Sequence, residues 1–445
     1  MNNIILKCDD LTVEASGVGR HEGMAVFVPG LLPEETAEVK LAHKARRYFV
    51  GELVSVIKPS PHRVAPRCPY FEVCGGCSLQ HLSYEAQLRF KERLVAQTLR
   101  RLGGVGCDVR PIVGGAPWRY RNKAQFPIGG TVREPLIGFY KPGSHSIVDI
   151  AECMVQQTEC APILEVIRGF IREFRVPPYD EKTGRGALRH VLIRTSISSE
   201  ISVTLVTNGP VLPHASILAE RLMSKKGVIG VAQNINTRRD NVILGPETTA
   251  LAGDPSLNVT VAGNEFTLSP QSFLQVNPAQ AEMLYAIAVE AACEGGVFES
   301  EILDLYCGIG TISLALARRC GHVTGVENVP QAVADAKAAA AKNGIGNADF
   351  ICADAAEYIK NKPSKFHTVV LDPPRKGCDS SLLEALKGLA PAKIVYVSCN
   401  PATLARDLGV LCAGGRYYIE YAQPVDMFPQ TTHVETVAAL HQITG

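Results

Sequence analysis

The chain has 445 residues, enough for about three domains, and its 45 Lys plus Arg against 44 Asp plus Glu leave no overall charge to draw it to nucleic acid. Any nucleic-acid surface must therefore be a local patch. The first ten residues lack the charged start and apolar run of a secretory signal, and no apolar stretch approaches the ~20 residues that span a bilayer. A cytoplasmic location, no membrane contact, no obligate protein partner and a monomer are expected. In that setting fourteen cysteines read as metal ligands, catalytic thiols or small core residues rather than a disulfide framework.

Residues 1–60 predict a small β-barrel. Its close-spaced strands are Ile4 to Leu6, Met24 to Val28, Ala37 to Leu41 and Tyr48 to Ile57, with the Gly17/Gly19/Gly23 cluster read as turn. Between Lys40 and Phe49, the cations Lys44, Arg46 and Arg47 stand beside Tyr48 and Phe49, a mixture that suits phosphate contact and base stacking. A solvated face is the plainer reading of such a run. The proline-rich stretch from Lys58 to Pro66 marks the first boundary.

Residues 61–262 read as a mixed, largely β central domain. It opens on Cys68-x5-Cys74-Gly-Gly-Cys77, three thiols whose fourth partner is Cys153 or Cys160 for an iron–sulfur cluster, or a histidine for zinc. Spacing alone does not choose between the metals. From Ser83 to Leu102, Tyr84, Leu88, Leu94, Val95, Leu99 and Leu102 recur at helical spacing and predict an amphipathic helix. Arg119-Tyr-Arg121-Asn-Lys123 is a second basic, aromatic-bearing patch suited to RNA phosphates.

From residue 263 to 445, strand candidates at 301–306, 322–327, 348–353, 366–371 and 393–398 alternate with Ala- and Leu-rich helical stretches. This pattern predicts a doubly wound α/β sheet with its functional groups at the strand ends. Asp304-Leu-Tyr306-Cys-Gly308-Ile-Gly310-Thr311 has the glycines of a cofactor loop, and Glu327, roughly 20 residues on, suits the hydroxyls of a ribose. Ser313 replaces the third glycine of the dinucleotide fingerprint, which favours S-adenosylmethionine over a nicotinamide. Asp354 is placed to meet an adenine amino group and Asp372-Pro-Pro-Arg375 closes the fourth strand; for either aspartate alone, a helix cap is the plainer alternative. Cys399 ends the fifth strand ahead of a helix that starts at Pro401, the position of a reactive thiol, although free cysteines also fill cores. A candidate base follows in the segment that carries His433 and Glu435.

Gln271-Ser-Phe273-Leu-Gln275-Val-Asn277, the Asp304 loop, Asp372-Pro-Pro-Arg375, Ser398-Cys399-Asn400-Pro401 and Phe428-Pro-x-Thr-x-His433-x-Glu435 together resemble the RNA uracil-C5 (5-methyluridine) methyltransferases. The resemblance spans nearly the whole chain. It implies a Rossmann-like S-adenosylmethionine-dependent domain, a TRAM, OB-like barrel at the N-terminus, and the [4Fe-4S] cluster of the ribosomal branch on Cys68, Cys74, Cys77 and Cys153. It further implies Cys399 as the nucleophile at C6, Glu435 as the base and Phe273 as a stacking platform. Gln275, Tyr306, Thr311, Glu327, Asp354 and Asp372 are the implied cofactor contacts. Tyr306 stands where relatives often have Phe, and Thr311 and Asp354 where some have Asn. The implied substrate is 23S ribosomal RNA, with transfer RNA the alternative. An amino-group methyltransferase and a non-catalytic iron–sulfur RNA-binding protein are the rival readings.

Overall fold

A computed structural model describes residues 3–296, 299–361 and 366–443. Its first five strands are β1 (Asn3–Leu11), β2 (Ser16–His21), β3 (Met24–Pro29), β4 (Thr36–Lys44) and β5 (Tyr48–Lys58). They close into a barrel in the order β1-β2-β3-β5-β4, filled by Leu6, Val26, Val28, Val39 and Phe49. Gly17 and Gly19 lie inside β2 rather than in a turn. A Cβ at either would collide with the backbone of Leu31 or Lys7, so these glycines admit a crossing chain. Gly23, at φ 78°, makes the hairpin turn itself.

α1 (Tyr84–Leu102) starts at the expected place, but its buried stripe is not the one expected. Leu102 is exposed, whereas Gln87 and Lys91 are buried in line with Val95 and Leu99 at i+4 steps. Val95 and Leu99 enter the core of the C-terminal sheet, and β6 (Asp108–Val109) pairs in parallel with its outer strand through Tyr421↔Asp108. Residues 84–109 thus pack with the C-terminal unit, although they precede the boundary at 262.

The central sheet contains β7 (Lys123–Gly130), β8 (Pro135–Tyr140), β9 (Ile147–Asp149), β10 (Leu188–Thr195), β11 (Ile201–Thr207), β12 (Val228–Ile235) and β13 (Glu247–Gly253). Their order is β13-β12-β11-β10-β7-β8-β9. α2 (Cys160–Phe174) and α3 (Ala215–Met223) cover one face, burying Val191, Ile193, Val203 and Leu205 beneath Ile163, Ile167 and Leu218. A hairpin, β14 (Leu257–Val261) and β15 (Asn264–Leu268), leads on to α4 (Pro278–Cys293).

The C-terminal unit then alternates: β16 (Glu301–Leu305), α5 (Thr311–Ala317), β17 (His322–Glu327), α6 (Pro330–Lys342), β18 (Ala348–Cys352), α7 (Ala355–Asn361), β19 (Thr368–Leu371), α8 (Ser380–Leu389), β20 (Lys393–Ser398) and α9 (Pro401–Cys412). It ends on β21 (Tyr417–Val425) and β22 (Glu435–Gln442). The sheet order is β18-β17-β16-β19-β20-β22-β21-β6, a mixed α/β sheet. The first five of these strands are parallel, while β22 inserts antiparallel between β20 and β21. Strand order reverses between β16 and β19, and the crevice outside their carboxyl ends is where such sheets take ligands. Among the described residues no helix is long and apolar enough to cross a membrane.

Candidate active site

At the switch point, near the end of β16, Asp304 is buried and bonded to the hydroxyl of Ser313. The residue in the place of a third glycine therefore satisfies a buried carboxyl. Tyr306 (φ 62°), Gly308 and Gly310 turn the loop into α5, and a Cβ on Gly310 would press on the ring of Phe350. Glu327 braces this loop by accepting from the Gly308 amide at 3.2 Å, while its other oxygen takes the amides of Asn328 and Val329. Thr311, in the first turn of α5, faces the hydroxyl of Tyr285. Asp354 caps α7, accepting from Ala356 and Glu357 at 2.9 and 3.1 Å, so the helix-cap reading describes its contacts here.

Cys399 follows β20, and Asn400 caps α9 with Pro401 in its first turn. The antiparallel register Ser398↔Thr436 sets the next residues outward, Cys399 and Glu435, opposite each other. Glu435 is 2% exposed; burial, and then the nearby Asp372, push its carboxyl up to about 8. Burial likewise raises Asp372 and Asp304 to about 7. The Cys399 thiol rises to about 11 through burial and the charges of Glu435 and Asp372, with Arg375 pulling the other way. Three raised carboxyls beside a thiol make a site that a positively charged ligand would stabilise. Arg375 lies within a motif legible in the sequence, but its electrostatic place beside Cys399 and Glu435 does not.

These shifts have a stability consequence. Glu435 titrates near 8 when folded and near 4.5 when unfolded, so the stability of its neutral form is complete below pH 4.5 and is lost as pH rises through 8. Replacing Glu435 by the neutral Gln should raise stability by about 2 kcal/mol at pH 8.5, discounting the linkage limit for coupling to Asp372. The gain should shrink to nothing near pH 4.5. Thermal melts across that range check it, and a gain that is flat in pH would reject it.

The segment that delivers Glu435 is held from several directions. Successive carbonyls of Met427, Phe428, Pro429 and Gln430 accept from Asn277, Lys91, Tyr120 and the amides of Ser78 and Leu79. Gln87 adds two bonds to Gln430, which sits at φ 68°. Lys91 also pairs with Asp426 at 2.5 Å, with both side chains fully buried. Gln87 and Lys91 were missed in the sequence. Two polar residues in line with Val95 and Leu99 on one helix row were the signal.

The family model for tRNA (uracil-5-)-methyltransferases matches residues 185–443, the stretch that carries this whole edge. The chain belongs to that family. RNA methyltransferases of Halalkalibacterium halodurans and Listeria monocytogenes, neither of them characterised, are 44% and 41% identical to it. They cover 97% and 99% of this chain, and 95% and 97% of their own lengths are matched. The crystal structure of Pyrococcus abyssi tRNA (uracil-54, C5)-methyltransferase, in complex with S-adenosyl-L-homocysteine, matches 98% of this chain and 99% of its own. Its identity is 28% and its TM-score 0.79. The protein is an RNA methyltransferase.

In the methyltransferase, Phe273 projects with 67% of its surface exposed, and Gln275, two residues on, is buried. Arg121 reaches the ring of Phe428 at 6.0 Å, and its charge is felt at His433. Lys123 pairs in register with Arg194, and burial together with those neighbouring arginines depresses its ammonium to about 8. Lys44 lies over Phe49, with Arg46 and Arg47 exposed in the turn beyond, so the barrel patch is distant in sequence but open to solvent.

Arg119 has a different place from Arg121. It bonds the carbonyls of Cys153 and Gln156 and the carboxylate of Glu152, bracing the loop that bears Cys153 rather than facing solvent. That loop lies against the Cys68–Cys77 turn, where burial first, and then the charges of neighbouring cysteines, raise the thiols of Cys74, Cys77 and Cys153. Cys160 is buried at the start of α2 in the central core, with only Cys153 of the four acting on it.

Proposed function

We propose that the protein methylates C5 of a uridine in RNA, with 23S ribosomal RNA as its substrate and S-adenosylmethionine as the methyl donor. The observation that carries this reading is the pairing of Cys399 with a buried glutamate, Glu435, at the switch-point edge of an α/β sheet. An amino-group methyltransferase needs no such thiol.

The chemistry explains the pairing. Uracil C5 is a weak nucleophile, so the Cys399 sulfur, its proton released to solvent, bonds to C6 and drives the electron pair of the C5–C6 double bond into an enolate. Arg375 offsets the cost of the thiolate that burial imposes. S-adenosylmethionine supplies the methyl group on a positively charged sulfur, a ligand whose charge suits Asp304, Asp372 and Glu435. Glu435 then takes the C5 proton, the C6–S bond breaks, and the Cys399 thiolate leaves as the double bond re-forms. A stacked uracil shields its C5, so the base must be unstacked, and the exposed Phe273 supports it in that state. Gln275, Tyr306, Thr311, Glu327 and Asp354 are assigned to the donor, with Asp372 between donor and base. Arg121, Lys123, Lys44, Arg46 and Arg47 are assigned to RNA, and Arg119 retains only the indirect role its contacts allow.

Cys68, Cys74, Cys77 and Cys153 are assigned to a [4Fe-4S] cluster. The residues fit such a group: the thiols are desolvated and within mutual electrostatic reach, and the Gly76 amide points at the Cys74 sulfur at 3.4 Å. Among the described residues no three cysteine sulfurs lie within 4.8 Å of one another. Four cysteine thiolates can hold either a [4Fe-4S] cluster or a zinc ion, so the metal bound to the protein distinguishes the two. Cys153→Ser should therefore lose iron and sulfide in anaerobically purified protein while Cys160→Ser keeps them. Stoichiometric zinc without iron, or equal loss in both variants, rejects the assignment.

Transfer RNA is the second reading, favoured by the Pyrococcus abyssi tRNA enzyme, whose match includes essentially every element of this chain. Ribosomal and transfer RNA from a strain lacking the gene, incubated with protein and methyl donor, separate the two. New 5-methyluridine in 23S RNA supports the first reading, in tRNA the second, and a methylated amino group or no product overturns both.

A further inference from the structure

The two faces of the central sheet differ. α2 and α3 bury Val191 and Ile193 on one side. On the other, a bulge between Leu188 and His190 re-aims Arg189. Arg189 and His190 there line a cavity of about 1100 Å³, walled by Tyr140 of β8, by Tyr179, and by Arg239 and Asn241 in the segment after β12. None of these residues takes part in the chemistry described above.

The lining indicates what kind of ligand fits. Its three cations, Lys182, Arg189 and Arg239, are matched by three carboxylates, so net charge gives no hold on a bare phosphate. Its hardware is instead aromatic and hydrogen-bonding. The Arg189 guanidinium lies over the Tyr179 ring at 4.3 Å and is steered by the carbonyls of Asn236 and Arg238. Arg189 is 2% exposed and His190 6%, yet among the described residues neither Arg189 Nε nor His190 Nδ1 has a partner. Unpartnered polar groups this deep are costly, and a ligand with its own donors and acceptors repays that cost. A neutral, planar heterocycle with polar edges meets both demands, stacking on the aromatic wall and hydrogen-bonding at the floor.

β10 links the cavity wall to the loop that presents Phe273. Arg194 lies five residues beyond Arg189 on β10, roughly 17 Å along the strand. It donates to the carbonyls of Pro270 and Ser272, holding the loop that presents Phe273. Gln271 in that loop donates to the carbonyls of Gly245 and Pro246, just past the cavity wall.

We propose that this cavity is a second base-binding subsite, which takes an unstacked nucleobase of the same RNA strand a few nucleotides from the target uridine. The proposal rests on the reading of the protein as an RNA uridine methyltransferase. Binding two bases at once would fix the register of the strand, a source of site selection that Phe273 and Cys399 alone lack.

The test uses the RNA in which the wild-type protein installs 5-methyluridine, carrying a single abasic nucleotide at each flanking position in turn. One position should show a KM about ten-fold higher when its base is missing, the scale of one stacked base. In Tyr140→Ala and Asn241→Ala proteins the intact RNA should already show that higher KM, and removing the base should add nothing. 4-Thiouridine or 6-thioguanosine at the same position should crosslink in wild-type protein to residues 179–182 or 239–243. The subsite is overturned if methylation occurs but no flanking base matters, or if the abasic penalty survives in both variants. No 5-methyluridine in any RNA would instead overturn the parent reading along with it.

Discussion

Cys399→Ala protein should form no covalent RNA complex and transfer no methyl group, whereas wild-type protein should accumulate a methylated adduct on RNA whose target uridine is replaced by 5-fluorouridine. Fluorine at C5 cannot be removed as a proton, so the reaction stops with the Cys399 sulfur still bonded to C6. Glu435→Gln keeps the nucleophile and loses the base. On ordinary RNA it should add and methylate, then release product roughly 100- to 10,000-fold more slowly, leaving a complex that survives denaturation. Gel shift and mass spectrometry of the denatured complexes read both outcomes. An adduct in Cys399→Ala protein, or full turnover in either variant, would exclude the assigned roles. The raised thiol and carboxyl of the free site make this a severe test, because neither group is in its reactive form at neutral pH without help from its surroundings.

Lys91→Met should destabilise the protein by about 3–5 kcal/mol, because it strands the fully buried Asp426 carboxylate without its cation. Adding Asp426→Leu should recover most of that loss, since removing both charges removes the desolvation penalty as well. Urea midpoints measure it, and a double variant no more stable than Lys91→Met would show that the pair is not the cause. The pair also anchors the segment that leads to Glu435, so the double variant should regain stability without regaining full methyl transfer. Lys91 bonds the Phe428 carbonyl, and methionine has no donor to replace that contact.

The motifs expected to share one sheet edge do meet at one. Asp304, Asp372 and Cys399 each sit at the carboxyl end of a parallel strand, and alternation of strand and helix sends all such ends to the same edge. Local signals sufficed there: Asn400-Pro401 caps and starts a helix, and glycines open the cofactor loop. The same local logic misjudged Gly17 and Gly19. Glycine marks a turn or a close crossing with equal ease, and only the neighbouring chain decides which.

By itself the sequence singled out the candidate residues and the sheet type that presents them, because side-chain period, caps and turn residues act over a few positions. Only the tertiary structure decided who stands beside whom. Cys399 faces Glu435 because β22 inserts antiparallel between β20 and β21, a pairing between segments that no local pattern specifies. Arg119 serves the Cys153 loop while Arg121, two residues on, faces Phe428, since buried carbonyls claim whichever donor reaches them. Gln87 and Lys91 stabilise the segment that leads to Glu435, more than three hundred residues away, for the same reason: a loop cannot be buried until every carbonyl in it has found a donor, and that donor is chosen by proximity in space rather than along the chain.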